Sequence, residues 1–273
     1  MSASPTAFPN NSQPEPPSGP ARRILARPDG AAIAYHALAG RSPTVVFLHG
    51  FKSDMTGGKA VALEAWCRNA GQAFVRFDAQ GHGQSSGTFE DGTIGDWAAD
   101  AVSVMDGVTQ GPLILVGSSM GGWLMLLAAL QRRDRVAGLV GLAAAPDFTE
   151  DLIWNTLTDA QRRTLLVDGR IITPSDYGPE GYPITRRLID EGRHNLLLHD
   201  VINLHCPVRL IHGMRDADVP WRTALRLQEQ LASEDVEVVL VKDGDHRLSR
   251  DQDIARLEAV VEGLVRQVAE GGT

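Results

Sequence analysis

The sequence predicts an α/β fold, in which a mainly parallel sheet is flanked by helices and carries a short helical lid insertion. Short β-branched runs alternate with longer helical patterns from about residue 30 onward, as in sheets built from βαβ units. The interval 147–206, about sixty residues long, interrupts this alternation without a clear strand. An interruption of that length is more often a functional element than a plain connection.

Apolar runs and helical patterns define the elements in order along the chain. Strands are predicted at 32–38, 44–49, 73–78, 113–117, 136–143, 208–212 and 236–241. Several are apolar almost throughout, as expected for strands covered on both faces. Helices are predicted between them at 58–70, 93–108, 120–132, 223–231 and 254–269, with shorter helical pieces at 159–167 and 184–191 inside the lid insertion.

These elements divide the chain into four segments. Residues 1–22 are expected to be a disordered lead, because the first twenty positions hold six prolines together with several Ser and Asn. Residues 23–146 form the first part of the core, 147–206 the lid insertion, and 207–273 the second part of the core.

The composition and charge of the chain limit which partners and which cellular location we expect. The formal net charge of −8 argues against a nucleic-acid partner, because general nucleic-acid binders present a basic face. No run approaches the roughly twenty apolar residues that span a bilayer, so no transmembrane segment is predicted. The first twenty residues have neither a hydrophobic export core nor an arginine. We therefore expect a cytoplasmic protein.

The pentapeptide G-x-S-x-G occurs twice, around Ser85 and around Ser119. A serine nucleophile of this type needs a strand before it and a helix directly after it, so that a sharp turn lifts the hydroxyl above the sheet. Ser119 follows the apolar run 113–117 and precedes a strong helix-forming run. Ser85 lies in a glycine-rich stretch without a helix behind it and is expected to be a loop residue. Ser119 is therefore the predicted nucleophile.

A serine hydroxyl also needs a general base that is oriented by a carboxylate. In this arrangement the chain order is serine, acid, histidine. His246, in the polar turn after the last predicted strand, is the predicted base. Asp216 and Asp218 both follow the penultimate strand; Asp216 is the predicted acid, while Asp218 is expected to cap the next helix. His212 is expected to shape the loop that carries the acid.

Acyl transfer requires two backbone N–H donors for the developing oxyanion. Met120, at the start of a predicted helix, and Phe51, after the His-Gly pair that ends strand 44–49, are the candidates. His49 in that pair is expected to be a buried histidine bonded to loop backbone. No ligand spacing such as H-E-x-x-H is found, and no phosphate-binding loop follows the first strand. No metal and no cofactor are predicted.

Five stretches carry a family resemblance: HGF, RFDAQGHGQSSG, VGSSMGGWLM, LIHGMRDADVPW and DHRLS. They extend from about residue 30 to the end, and they resemble the mitochondrial palmitoyl-protein thioesterases, also described as acyl-glucuronide esterases, of the α/β-hydrolase superfamily. The resemblance implies the α/β-hydrolase fold, a compact lid and a triad at Ser119, Asp216 and His246. The lead does not look like a mitochondrial presequence, so organelle targeting is not carried over.

The expected activity is hydrolysis of acyl esters or thioesters through a covalent acyl-enzyme. The substrate is expected to be a small-molecule acyl ester or an acylated protein. An aminopeptidase or a C–C bond hydrolase of the same fold uses the same triad, so these alternatives stay open. A non-catalytic ligand-binding member of the fold stays open as well.

Overall fold

The computed structural model describes residues 22–173 and 181–271, and its largest element is an eight-stranded sheet. The strands of this sheet are β1 (Arg23–Ala26), β2 (Ala32–Leu38), β3 (Arg41–Leu48), β4 (Gln72–Phe77), β5 (Leu113–Ser118), β6 (Val136–Leu142), β9 (Val208–Gly213) and β10 (Val236–Val241). Between them in sequence, β7 (Arg170–Thr173) and β8 (Tyr182–Thr185) pair as a separate antiparallel hairpin.

The sheet has the spatial order β1-β2-β4-β3-β5-β6-β9-β10. Strand β2 runs antiparallel to both β1 and β4, and the pairs from β4 to β10 are parallel. The predicted mainly parallel sheet is therefore confirmed. Parallel order brings the carboxyl ends of β3, β5, β9 and β10 to one edge, which is where open α/β sheets place their ligand sites.

The described residues form seven α-helices: α1 (Gly58–Ala70), α2 (Ile94–Val108), α3 (Met120–Gln131), α4 (Asp159–Asp168), α5 (Arg186–Gly192), α6 (Arg222–Gln230) and α7 (Asp251–Gly271). Helices α1 and α7 pack on one face of the sheet, and α2, α3 and α6 pack on the other. Among the described residues, none of the helices combines the length and apolarity that crossing a membrane requires.

Side-chain alternation along the central strand β5 builds a core on both faces. Leu113 and Leu115 belong to the cluster with α2 and α3, whereas Ile114 and Val116 belong to the cluster with α1 and α7. All four are fully buried. Successive side chains of a strand point to opposite faces, so a strand covered on both sides is apolar at every position.

Three short strands were not predicted from the sequence. Strands β7 and β8 lie inside the interval 147–206, where no strand was expected, and each has only four residues. The predicted helix at 184–191 was wrong at its start: Ile184 and Thr185 pair with β7, and α5 begins at Arg186. Strand β1 was also missed, because a four-residue edge strand with mostly exposed side chains has little hydrophobic pattern.

Asp147, the first residue of the interval 147–206, contacts backbone near the other end of that interval. Asp147 is buried, has a φ of 60° and follows β6 by a few residues. Its carboxylate accepts hydrogen bonds from the backbone amides of Leu197 and Leu198, each at 2.8 Å. Burial raises the pKa of Asp147. This contact ties the start of the interval to its end.

The predicted disordered lead lies outside the described residues, apart from Arg22. Residues 174–180, part of the predicted insertion, lie outside them as well.

Candidate active site

Ser119 occupies the sharp turn between β5 and α3, with φ 55° and ψ −119°. A positive φ is strained for a residue with a side chain and is found most often at functional turns. The flanking glycines allow the turn. A Cβ at position 117 would lie 2.3 Å from the carbonyl oxygen of Gly121, and a Cβ at position 121 would lie 2.1 Å from that of Leu48. Neither position therefore admits a larger residue without a backbone shift.

Ser85, in the second G-x-S-x-G match, has a structural environment. Its hydroxyl donates a hydrogen bond to the carbonyl oxygen of Asp78 at 2.6 Å and accepts one from the amide of Ala34 at 2.8 Å. It lies in the loop between β4 and α2, without a helix directly after it. The prediction that Ser85 is a loop residue is confirmed.

His246 lies in the loop between β10 and α7, within hydrogen-bond distance of two predicted site residues. Its Nε2 is 3.1 Å from Ser119 Oγ, and its Nδ1 is 2.8 Å from Asp216 Oδ2. Because a carboxylate only accepts, Nδ1 carries the proton and Nε2 is left to accept from the serine hydroxyl. The structure thus joins the three residues in one series of hydrogen bonds.

Asp216 follows β9, and its side chain is fully buried. Oδ2 accepts from His246 and lies 3.2 Å from Nε2 of His212, while Oδ1 accepts from the amides of Asp218 and Val219 at 2.9 and 2.8 Å. Burial alone would raise the pKa of Asp216, but hydrogen bonds from His212, His246 and the backbone hold it well below its ordinary value. The side chain is therefore an ionised carboxylate at neutral pH.

The two candidate acids in the loop after β9 differ in their contacts. Asp218 is exposed and lines the cavity described below, whereas Asp216 contacts His246. The prediction that Asp218 caps the next helix was wrong, since α6 has Trp221 as its N-cap residue. The cause is a turn between Pro220 and Thr223, which separates Asp218 from the helix.

The two predicted oxyanion donors lie beside Ser119. Met120 is the first residue of α3, so its amide has no intrahelical acceptor. A Cβ at position 50 would lie 3.4 Å from the Cβ of Ser119, so the backbone that leads into Phe51 runs directly against the serine. Phe51 and Met120 both line the cavity that contains Ser119 and His246. The amides therefore belong to the surroundings of the serine hydroxyl.

His49 is buried and bonded to backbone groups, as predicted. Its Nε2 accepts from the amide of Ala79 at 3.1 Å, and its Nδ1 lies 2.8 Å from the carbonyl oxygen of Gly50. Burial lowers the pKa of His49. The ring is therefore neutral and fixes the turn that precedes Phe51.

A cavity of about 450 Å³ opens at Ser119 and His246, and both apolar and polar side chains line it. Its apolar lining includes Phe51, Phe148, Leu152, Ile153, Tyr182 and Ile184. The ring of Phe51 makes edge contacts with Phe148 and Tyr182 at centroid distances of 5.5 and 5.6 Å. Its polar lining includes Lys52, Ser53, Asp54, Lys59, Arg247 and Ser249.

Two features of this cavity were not identified from the sequence. Leu152, Ile153 and Ile184 come from the interval 147–206, where no apolar periodicity marks them as lining residues. Lys59 lies in the first turn of α1 and donates to the carbonyl oxygen of Arg247. Burial and the neighbouring Arg247 charge lower the pKa of Lys59 to about 8. A lysine at a helix start carries no sequence signal for this environment.

One group of side chains in the described residues has the spacing of metal ligands. It consists of Asp216, Asp218 and His246, whose ligand atoms all lie within 4.8 Å of one another. The Nδ1–H of His246 already donates to Asp216, so these two groups satisfy each other without an ion. We assign no metal to this group.

Comparisons with known proteins show which proteins the chain resembles. The family model described as "Serine aminopeptidase, S33" matches residues 41–174. Palmitoyl-protein thioesterase ABHD10 from Bos taurus is 42% identical over 247 residues, which cover 90% of this chain and 80% of the relative. The structure of mouse alpha/beta hydrolase domain-containing protein 10 superimposes with a TM-score of 0.85 at 40% identity, covering 91% of this chain and 99% of that one. A putative hydrolase from Agrobacterium vitis S4 gives a TM-score of 0.87 at 40% identity, with 91% and 100% coverage.

The predicted cytoplasmic location is contradicted by these relatives. The ABHD10 proteins from Bos taurus and other mammals are named as mitochondrial. The prediction depended on what the first residues lack, and such a composition does not distinguish one compartment from another.

The other predictions that these comparisons test are confirmed: the α/β-hydrolase fold, the family resemblance, and the assignment to the serine ester and thioester hydrolases. The alignments cover 90% and 91% of this chain, so they include residues both before and after the interval 147–206. The chain therefore belongs to the α/β-hydrolase family that includes the ABHD10 palmitoyl-protein thioesterases.

Proposed function

We propose that the chain hydrolyses fatty-acyl thioesters and esters through a covalent acyl-enzyme at Ser119. The observation that carries this proposal is the hydrogen-bonded series from Ser119 Oγ through His246 to Asp216, at 3.1 and 2.8 Å. A nucleophile, a base and an orienting carboxylate in hydrogen-bond contact are the arrangement that acyl transfer requires.

In the first half of the proposed reaction, Ser119 Oγ attacks the acyl carbon while His246 Nε2 takes the hydroxyl proton. The carbonyl oxygen becomes an oxyanion, which the amides of Phe51 and Met120 stabilise. The bond from carbon to the leaving sulfur or oxygen then breaks, and His246 returns the proton to the leaving atom. Asp216 stays ionised throughout and stabilises the transient imidazolium.

In the second half, a water molecule replaces the leaving group. His246 Nε2 takes a proton from this water as its oxygen attacks the acyl carbon, and the same two amides hold the new oxyanion. The bond to Ser119 Oγ breaks, the serine regains its proton from His246, and the fatty acid leaves. In each half His246 gains one proton and passes it on, so the enzyme returns to its initial state.

The shape and lining of the cavity support a fatty-acyl substrate. The apolar lining, with Phe51, Phe148 and Ile153 among its residues, offers a surface for an alkyl chain, and in this proposal the polar lining receives the leaving group. The relatives named palmitoyl-protein thioesterases extend this to palmitoyl thioesters, on a protein cysteine or on a small thiol. Residues 147–206, which supply part of the apolar wall, are the proposed lid.

The test compares Ser119→Ala with Ser85→Ala, because both serines lie in a G-x-S-x-G match. Purified protein is assayed with C4 to C16 acyl thioesters and esters and labelled with a fluorophosphonate probe. We expect Ser119→Ala to lose turnover and labelling and Ser85→Ala to keep labelling in its folded fraction. Undiminished turnover by Ser119→Ala would refute the proposal.

An aminopeptidase is the second candidate, favoured by the description of the matching family model. An aminopeptidase needs an acidic group in the cavity for the substrate ammonium, and Asp54 and Asp218 line the cavity. Lys52, Lys59 and Arg247 line it as well, which disfavours a cationic substrate there. A panel of amino-acid amides beside the acyl thioesters separates the two, since a peptidase prefers the amides.

A further inference from the structure

His212 lies at the end of β9, directly under the loop that carries Asp216. Its side chain is 1% exposed. Its Nε2 is 3.0 Å from the carbonyl oxygen of Val219 and 3.2 Å from Oδ2 of Asp216. Its Nδ1 is buried and has no hydrogen-bond partner among the residues that the structure describes. One ring nitrogen thus makes two polar contacts, and the other makes none.

These contacts determine the protonation of the His212 ring. Both atoms near Nε2, the Val219 carbonyl oxygen and the Asp216 carboxylate oxygen, can only accept a hydrogen bond, so Nε2 carries the proton. A second proton on Nδ1 would be buried without an acceptor, which costs the full desolvation of an N–H donor. The Nε2–H of His212 therefore donates to the Val219 carbonyl oxygen and also faces Oδ2 of Asp216.

The Asp216 carboxylate consequently has a donor on every side. The amides of Asp218 and Val219 hold Oδ1, while His246 and His212 converge on Oδ2. The His212 ring also ties Asp216 to Val219, three residues later in the same loop. Rotation of the carboxylate would break the contact with His212 as well as the contact with His246.

We propose that His212 is a positioning residue, which holds Oδ2 of Asp216 toward His246 and so keeps the base oriented for attack by Ser119. This inference rests on the proposed function, because it assigns a role within the same reaction. It goes beyond shaping of the loop: the N–H of His212 withdraws electron density from the oxygen that pairs with the base. A carboxylate that loses such a donor is more basic, so the Asp216–His246 pair takes up a proton at a higher pH.

Other charged groups around this pair are the same in the wild type and in position-212 variants. Asp218 lies on the loop of Asp216, and Arg247 follows His246 in the chain. Lys59, on α1, donates to the carbonyl oxygen of Arg247 across the cavity. A shift on substitution at position 212 therefore reports the lost N–H donor.

The test compares two substitutions, His212→Gln and His212→Asn, whose amide side chains differ in length by one methylene group. The Gln side chain places an N–H near the position of Nε2, whereas the Asn amide reaches only the position of Nδ1, which has no partner. We expect kcat for a soluble short-chain thioester to stay within about threefold for Gln. For Asn we expect a fall of about 10- to 100-fold with little change in KM, the effect of losing a hydrogen bond to a charged group.

The pH profile of kcat/KM separates positioning from a merely structural role. The acid-side loss of activity is expected at a higher pH in His212→Asn than in the wild type, and at the wild-type pH in His212→Gln. Circular dichroism and melting temperature confirm that the compared variants are folded. Equal kcat and equal acid limbs in folded Asn and Gln variants would overturn the proposal.

A measurement on the unmodified protein keeps the proposal testable if the Asn variant does not fold. Long-range proton–nitrogen correlation spectra identify the tautomer of each histidine, with His212→Gln used to assign the His212 signals. The neutral form protonated at Nε2 is expected, and protonation at Nδ1 would overturn the proposal. Failure of the proposed function is distinguishable, because it would appear as turnover that does not depend on Ser119.

Discussion

Gly121→Ala tests the close contact between α3 and the loop after β3. Gly121 is the third residue after β5 and the second residue of α3. The Cβ that alanine adds would lie 2.1 Å from the carbonyl oxygen of Leu48 and 2.6 Å from that of His49. Both obstacles are backbone atoms, so no side-chain rotation can make room, and α3 must move away from β3.

The size of this movement follows from the distances. Ordinary van der Waals contact begins at about 3.4 Å, so the separation from the Leu48 oxygen must grow by about 1.3 Å (3.4 minus 2.1). The amide of Met120 moves with α3, and the amide of Phe51 stays with the loop after β3. A misplacement of about 1 Å in a catalytic site costs about 100-fold in rate. We expect kcat to fall at least that far, and stability to fall by about 1–3 kcal/mol from overpacking.

The assay measures kcat and KM with a soluble acyl thioester, together with urea unfolding. The matched control is Gly263→Ala in α7, where an added Cβ meets nothing within 4 Å. That substitution is expected to leave kcat unchanged and to raise stability by about 0.5–1 kcal/mol, since alanine has the higher helix propensity. A folded Gly121→Ala protein with wild-type kcat would refute the argument that close packing at position 121 positions the two amides.

Further predictions concern the acid, a partly buried lysine and the acyl pocket. Asp216→Asn is expected to lower kcat by about 10³- to 10⁴-fold, because an amide no longer fixes the tautomer of His246. Circular dichroism is expected to show that the fold is retained. A loss of less than tenfold would contradict the role of Asp216 as the orienting acid. Lys59 has a pKa lowered from 10.5 to about 8, so charging it opposes folding below pH 8. Lys59→Met is therefore expected to raise the free energy of unfolding at pH 7 by about 1–3 kcal/mol, and this gain is expected to vanish above pH 10.5. Urea titrations at pH 7, 9 and 11 measure the gain. A gain that is the same at all three pH values would contradict the prediction. Ile153→Trp adds bulk to the apolar lining of the cavity. It is expected to lower the ratio of kcat/KM for a C16 substrate to kcat/KM for a C4 substrate at least about tenfold. An unchanged ratio would mean that the acyl chain does not bind against Ile153.

The central sheet and the serine turn could be predicted from local pattern alone. The run 113–117 is apolar at nearly every position because β5 is covered on both faces. The same physical reason separates Ser119 from Ser85: a nucleophile turn requires a buried strand and a helix that meet at glycines. The order of Asp216 and His246 after Ser119 then limited the candidates for acid and base.

The cavity could not be predicted in the same way, because its walls come from residues that are distant in sequence. Ile153 and Ile184 line the same cavity as Phe51, although they are more than 100 residues away from it in sequence. The strands β7 and β8 escaped detection because four residues are too few to show a period of two. The contact between His212 and Asp216 depends on a loop conformation that the sequence LIHGMRDADVPW does not specify.

Mass spectrometry of the acyl-enzyme is the most direct test of the proposed mechanism. The protein is mixed with a palmitoyl thioester, quenched in acid within the first turnovers and digested, and the peptides with Ser119 and Ser85 are compared. We predict a mass increase of one palmitoyl group on the Ser119 peptide, none on the Ser85 peptide, and a larger acylated fraction at early than at late times. An adduct on any other residue, or turnover with unmodified Ser119 at every time, would contradict the account.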